Sequence, residues 1–189
     1  MRSLPYLFPC MWFAYIAYWW AMAQNVKIDE RHESAGSRLQ RLVLVVVALV
    51  LLGFPRVKLS VLDHRFLPIS IWWFWIGAAV TAAGLLFSVW ARHYLGRNWS
   101  RAVTIKKDHE LIISGPYSLV RHPIYTGLLV GLLGSALALG EWRGLAAVGL
   151  VFMALFRKLR LEEQWLRVHF GESYENYSRR VRALVPYII

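Results

Sequence analysis

The sequence is poor in several things at once. It has one cysteine, Cys10, which closes no internal disulfide and supplies no multi-cysteine metal cluster, so disulfide scaffolds and zinc ribbons are excluded. Charged residues make up only 17% of the 189 positions, where a soluble domain carries roughly a quarter. Acids are scarcest: 11 Asp and Glu stand against 22 Lys and Arg, giving a formal charge of +11. With 58% hydrophobic residues, the chain is too apolar for a solvated globule or a disordered tail.

Charge is missing in blocks. No Asp, Glu, Lys, Arg or His occurs between Arg2 and Lys27, from Phe66 through Ala91, or from Pro123 through Gly140. Each block is long enough to cross a ~30 Å hydrocarbon layer as a helix of about 20 residues, with snorkelling flanks where it falls short. Two shorter runs, Leu42 to Phe54 and Gly144 to Phe156, cover only ~20 Å at 1.5 Å per residue and span if amphipathic turns extend them. Counting both as spans places 17 Lys and Arg on one side and five on the other; dropping the second run leaves 14 against eight. Because Lys and Arg accumulate on the cytoplasmic face, five spans with the N-terminus outside and the C-terminus inside fit best. The fold class is therefore all-α: a polytopic membrane protein of about five transmembrane helices in one domain over 1–189, with a first helical hairpin over 1–56 and a catalytic core over 66–189.

The first run is read as a retained anchor. Ala21-Met22-Ala23 has the look of a cleavage site, but the run far exceeds the ~7 to 15 residues of a signal peptide's apolar region. Most of the ten tryptophans fall near span ends, where an amphipathic ring suits the headgroup layer. Gly127, Gly131, Gly134, Ser135 and Ala138 stripe the fourth run at three- and four-residue spacing, a pattern that lets helix backbones approach closely in lipid. With the short turn from Gly140 to Gly144, the expectation is a tight antiparallel hairpin of the fourth and fifth spans. The fifth then continues past the membrane.

The candidate chemistry lies on the cytoplasmic side. Residues 92 to 122 form a connection of about 30 residues, uncommon unless functional. Val103, Ile105, Leu111 and Ile113 flank the polar group from Lys106 to Glu110, the pattern of a small folded-back hairpin. Pro123 suits the first position of a helix, whose N-terminus opens at Arg121 and His122; an Arg beside that dipole can hold a carboxylate or phosphate, or simply meet anionic lipid. In the tail, Lys158 and Glu162 share a helix face, as a surface ion pair or as charges turned toward a ligand. Gly171 is a helix stop, and Tyr174 and Tyr177 begin a second short amphipathic segment. A metal site from His93, His109 and His122 is not expected.

Four blocks in order carry a resemblance: Leu95-Gly96-Arg97-Asn98-Trp99-Ser100; His109-Glu110-Leu111-Ile112-Ile113-Ser114-Gly115-Pro116-Tyr117; Arg121-His122-Pro123-Ile124-Tyr125-Thr126-Gly127; and Glu162-Glu163 followed by Phe170-Gly171, Tyr174 and Tyr177. Together they resemble the isoprenylcysteine carboxyl methyltransferase family, over roughly residues 90 to 186. The resemblance implies a helical membrane enzyme that moves a methyl group from S-adenosylmethionine to a lipophilic acceptor such as a prenylcysteine carboxylate, without a Rossmann sheet. No strand followed by G-x-G-x-x-G is present, in agreement. By the same resemblance, His109, Glu110, Leu111, Ile112, Tyr117, His122, Pro123, Ile124, Tyr125 and Glu162 enclose the cofactor, and Lys158, Glu162 and Arg121 are the catalytic candidates. Lys158 stands where the family has an Arg, so it keeps the charge without the bidentate fork. The implied partners are the bilayer and a lipophilic or prenylated substrate, with no nucleic acid. Two other functions remain open: a membrane NADPH-dependent reductase of sterol-reductase type, and a non-enzymatic lipid-binding protein.

Overall fold

All five charge-poor runs lie mainly in helices. The computed structural model describes residues 6–22, 35–53, 60–96 and 111–186, excepting the side chain of Arg38. Six α-helices follow in order: α1 Leu7–Met22, α2 Ala35–Gly53, α3 Ile71–Leu95, α4 Pro123–Leu139, α5 Trp142–Phe170 and α6 Glu172–Arg180. Short 3-10 turns at Ser60–Asp63 and Gly115–Ser118 complete the described elements. The hairpin expected around residues 103 to 113 lies almost wholly outside the described residues.

Local chemistry sets the helix ends. Ser70 caps α3 by accepting a hydrogen bond from the backbone N–H of Trp72. Pro123 occupies the first position of α4, and Gly140, in the left-handed conformation, ends it. The short run in α2 is lengthened by the amphipathic turn from Ala35 to Arg41, giving 19 residues, or ~28 Å at 1.5 Å per residue. Among the described residues, α2 and α3 are long and apolar enough to cross a bilayer, and α4 is a shorter apolar helix of 17 residues. α5, at 29 residues, runs far beyond its apolar half, as expected.

The closest helix pair is α3 with α4, and this corrects the expected use of the glycine stripe. A Cβ on Gly127 would lie 2.5 Å from the carbonyl oxygen of Gly84, and one on Gly134 would lie 2.5 Å from the backbone nitrogen of Thr81. Gly77 and Gly84 answer from α3, so two rows of small residues face each other and the backbones touch. The hairpin of α4 and α5 forms as well, but its close contact is local: Gly144 packs on Ala136 beside the turn. The linker ahead of α3 ties into that turn, where Phe66 N–H donates to Gly140 and Trp142 N–H to His64. Glu141 there joins Arg143 at 2.7 Å and Arg65 at 3.7 Å.

The first two helices find their main partners in the core. α1 lies on α3 and α4: Tyr15 and Ser88 share a hydrogen bond of 2.8 Å, and Trp12 donates to Ser135 at 3.0 Å. Buried Arg92 of α3 donates to the carbonyl of Met22 at the end of α1. α2 packs on α5, with Ala48 inside a cluster of Leu132, Ala147, Val151 and Leu155.

Because a side chain at Gly127 has backbone to displace, Gly127→Ala should destabilise the protein by about 1 to 3 kcal/mol or more. Gly149 on α5 has nothing within 4 Å of an added Cβ, so Gly149→Ala should be neutral or slightly stabilising. Thermal unfolding of the two variants in detergent checks this, and equal midpoints would refute the close α3–α4 contact.

Candidate active site

The site is assembled where the entry to α4 meets the C-terminal half of α5 and the segment after α6. Neighbouring residues on a helix point about 100° apart, so Glu162 and Glu163 serve two different sets of partners. Glu163 is taken by Arg121, whose Nε lies 2.8 Å from Oε1 and whose Nη2 donates to the same oxygen. Each of these side chains is only one-tenth exposed. Arg121 also donates through Nη1 to the carbonyls of Ser178 and Val181. The backbone N–H groups of Arg121 and His122 bond to the carbonyls of Arg182 and Ala183, and Thr126 Oγ1 donates to Leu184. Residues 181 to 184 are thereby strapped across the start of α4.

These bonds change the reading of Arg121. From position alone, its guanidinium and the N–H groups beside it could hold an anionic ligand or meet anionic lipid. Instead they are directed at protein acceptors, because a buried carboxylate and a turn's carbonyls both need donors. Arg121 holds the segment after α6 against Glu163 and the start of α4.

Glu162 gathers the second set. Tyr125 Oη donates to Oε1 at 2.6 Å, Lys158 Nζ stands 3.6 Å from the same oxygen, and His122 Nδ1 is 3.5 Å from Oε2. The Lys158 ammonium also lies 5.3 Å from the centre of the Tyr125 ring, within cation–π range. The His122 and Tyr125 rings stack, with centroids 5.5 Å apart and planes 5° from parallel. His122 is buried, and its Nε2, 3.4 Å from Glu163 Oε1, makes no hydrogen bond.

Tyr117, also buried, sits in the 3-10 turn just before this cluster. That turn begins at Gly115, at φ 59, where a Cβ would strike the ring of Tyr94. Tyr177 of α6 donates to the Tyr117 carbonyl, which fixes the turn from the far side. Pro123 is buried and Ile124 half-buried at the head of α4. Leu111 and Ile112 are half-buried ahead of the turn. His109 and Glu110 lie outside the described residues. The structure thus brings His122, Tyr125, Lys158 and Glu162 into direct contact. Two participants had no assigned role: Glu163, which appeared only as the second half of a Glu-Glu pair, and Tyr177, visible only as an aromatic in an amphipathic stretch.

Opposite charges set the ionisation of the cluster. Burial alone would raise Glu163, but its close contacts with His122 and Arg121 outweigh it and hold the carboxyl down at about 2. Burial likewise works upward on Glu162, and Lys158 and His122 turn it below the ordinary carboxyl range. His122 moves the other way: burial lowers it, yet the two carboxylates keep its pKa above the usual imidazole value. Burial pushes the Tyr117 phenol well up, so it stays neutral.

A depressed Glu163 contributes stability above its unfolded pKa of 4.5 and loses it as pH falls toward about 2. A raised His122 contributes fully below its unfolded value of 6.5 and loses that contribution as pH rises through its folded pKa. The unfolding midpoint should therefore fall steeply below pH ~4.5. Glu163→Gln should cost about 3 to 5 kcal/mol near neutrality by stranding Arg121 and should flatten that acid limb. Midpoints measured from pH 3 to 8 for both proteins check this, and parallel curves would refute the clamp.

Comparison with known proteins matches this same region. The family model described as phospholipid methyltransferase matches residues 72–173, from α3 into the start of α6. The protein-S-isoprenylcysteine O-methyltransferase of Schizosaccharomyces pombe is 36% identical over 96 residues, 49% of this chain and 41% of the relative. A probable protein-S-isoprenylcysteine O-methyltransferase of rice, Oryza sativa subsp. indica, is 31% identical over 128 residues, 65% of this chain and 67% of the relative. The nickel-cobalt-cadmium resistance protein NccN of Alcaligenes xylosoxydans is 36% identical over 115 residues, 59% of this chain and 52% of the relative. The matches thus span from about two fifths to two thirds of these relatives' lengths. Together with the ordered contacts around Glu162, they establish that the chain belongs to the isoprenylcysteine carboxyl methyltransferase family of membrane methyltransferases, within the group that the phospholipid methyltransferase model describes.

Proposed function

We propose that this protein is a multi-pass membrane enzyme that methylates a carboxylate on a lipophilic, prenylcysteine-like acceptor with S-adenosylmethionine as donor. The observation that carries the reading is the convergence of His122, Tyr125 and Lys158 on Glu162 within the segment the family shares. The names of the relatives from fission yeast and rice supply the acceptor class. The reading places about five spans in the bilayer, with the N-terminus outside and the cluster at the cytoplasmic face, as the distribution of Lys and Arg favours.

The donor set suits this cofactor. Its methionyl end carries both signs, and the cluster offers a carboxylate at Glu162 and cations at Lys158 and His122. His122 Nε2 lies 3.4 Å from Glu163 Oε1, which keeps the imidazole charged beside Glu162. Tyr117, His122, Pro123, Ile124, Tyr125 and Glu162 would hold the group, with Leu111 and Ile112 beside them and His109 and Glu110 assigned by family resemblance alone. When bound, it supplies a methyl group already activated on a sulfonium. The chain's task is then to position and to exclude water, not to run an acid–base dyad. Neutral Tyr117 and the ring of Tyr125 present aromatic faces, which attract a sulfonium without the desolvation cost of a second carboxylate. Arg121 and Glu163 act one layer out, by fixing the backbone on which His122 and Tyr125 stand.

Binding of S-adenosylhomocysteine and NADPH to the detergent-purified protein separates this reading from a reductase and from a lipid-binding module. The expectation is micromolar binding of the former, none of the latter, and a loss of about tenfold or more in Glu162→Gln with the unfolding midpoint retained. Lys158→Ala should lower turnover of an S-farnesylcysteine acceptor more than it weakens the donor analogue. Failure of the wild type to bind S-adenosylhomocysteine would overturn the proposal.

A further inference from the structure

α1 ends against the last turn of α3, and the contact there is polar. Arg92 of α3 is buried, and its guanidinium reaches in two directions. Nη1 donates to the carbonyl of Gly96 at the end of its own helix, and Nη2 donates to the carbonyl of Met22 at the end of α1, 3.0 Å away. Both carbonyls belong to helix ends, where the intrahelical ladder runs out of donors, so one side chain answers two helices. The same guanidinium lies 5.9 Å from the centre of the Trp19 ring, and the rings of Tyr18 and His93 stand side by side at 6.2 Å. α1 has no buried residue of its own, so contacts of this kind, with those of Trp12 and Tyr15 further along, fix where it sits.

The last turn of α3 also seats the Tyr117 segment. Gly115, which opens the 3-10 turn, lies so close on the ring of Tyr94 that a Cβ there would strike it. On the other side, Tyr177 donates to the Tyr117 carbonyl. Tyr117 is therefore held between α6 and the end of α3, and a shift of that end carries to it. Burial raises the Tyr117 phenol and the Arg92 charge draws it the other way, so the guanidinium and the phenol stand within electrostatic reach of each other.

We propose that Arg92 is a positioning residue for the donor site: by joining the end of α1 to the last turn of α3, it holds the turn on which Tyr117 stands. The proposal rests on the methyltransferase reading above. It brings α1, which precedes the segment that the family model matches from residue 72, into the frame of the site. A cation that only capped its own helix would need Gly96 alone; the bond to Met22 is what engages α1. A Lys at this position keeps the charge but lacks the fork that spans two carbonyls.

Kinetics of the full chain in detergent, with S-adenosylmethionine and an S-farnesylcysteine acceptor, test the role. Arg92→Gln should raise KM for the donor by about tenfold and leave KM for the acceptor within about twofold, and Arg92→Lys should recover part of the loss. Two further variants approach from α1. Trp19→Ala, beside Arg92, should raise the donor KM by about threefold or more, whereas Trp12→Ala, which removes the same ring nearer the other end of α1, should leave it unchanged. Amide hydrogen exchange of the ligand-free protein gives a reading that needs no donor. The amides of Tyr117, Leu119 and Val120, hydrogen-bonded within their turn, should exchange about tenfold faster in Arg92→Gln, with the rates in α4 and α5 kept. An unchanged donor KM or unchanged exchange at Tyr117 in a folded Arg92→Gln would overturn the proposal, since Arg92 would then be a helix cap alone. So would an equal rise in donor KM from Trp12→Ala and Trp19→Ala, which decides the matter if Arg92→Gln does not fold. Faster exchange in Arg92→Gln, with a wild type that binds no S-adenosylhomocysteine, would strike the donor assignment and leave the hold of Arg92 on Tyr117 standing.

Discussion

Two adjacent carboxylates on one helix, at the edge of a lipid-facing core, impose a condition that the surrounding structure is arranged to meet. A buried charge without a partner costs several kcal/mol, so Glu162 and Glu163 persist only if cations and donors reach them from elsewhere. They come from three places: Arg121 and His122 ahead of α4, Tyr125 in its first turn, and Lys158 one turn earlier on α5. The division of labour between the two acids follows from their directions on the helix. Glu163 is spent on architecture, drawing Arg121 and with it the strap of residues 181 to 184. Glu162 is left beside the aromatic faces and the lysine, which is where a charge-bearing ligand has something to bind.

The rest of the fold holds that meeting point still. Lipid is as apolar as a leucine side chain, so nothing like the hydrophobic effect presses transmembrane helices together. Close backbone contact must do it, and the facing glycines of α3 and α4 provide the contact. Sparse hydrogen bonds add to it: Thr81 Oγ1 to the Gly131 carbonyl at 3.1 Å, Trp12 to Ser135, and Tyr15 with Ser88. Because α4 is fixed against α3, its first turn is fixed too. A site built on that turn inherits the precision of the glycine contact some distance away.

Much of this was legible in the sequence, for physical reasons. Blocks without charge mark apolar helices, and some of their ends can be read because Pro123 and Gly171 each act within a turn of themselves. A stripe of small residues is less informative, since it says that some backbone comes close without saying whose. Here a nearer guess, the hairpin partner α5, gave way to α3, whose own Gly77 and Gly84 match the stripe. Arg121 shows the other limit. Position at a helix start suggested an anion site, and nothing local reveals that its carboxylate sits 42 residues away. Pairings of that kind depend on the assembled fold. The Tyr125, His122 and Glu162 grouping was recovered because the order of family motifs carries long-range information that periodicity lacks.

A single helix also sorts the site by sign. Along α5, Arg157 and Lys158 face α2, and Glu162 and Glu163 follow one turn later, toward α4. One turn is ~5.4 Å, close enough for Lys158 to stand beside α2 and also reach Glu162. Lys158 and Glu162, four residues apart, form an i, i+4 pair at 3.6 Å, so the base and the acid meet at the end of the apolar half of α5. Both stand at the level where the apolar half of the helix stops.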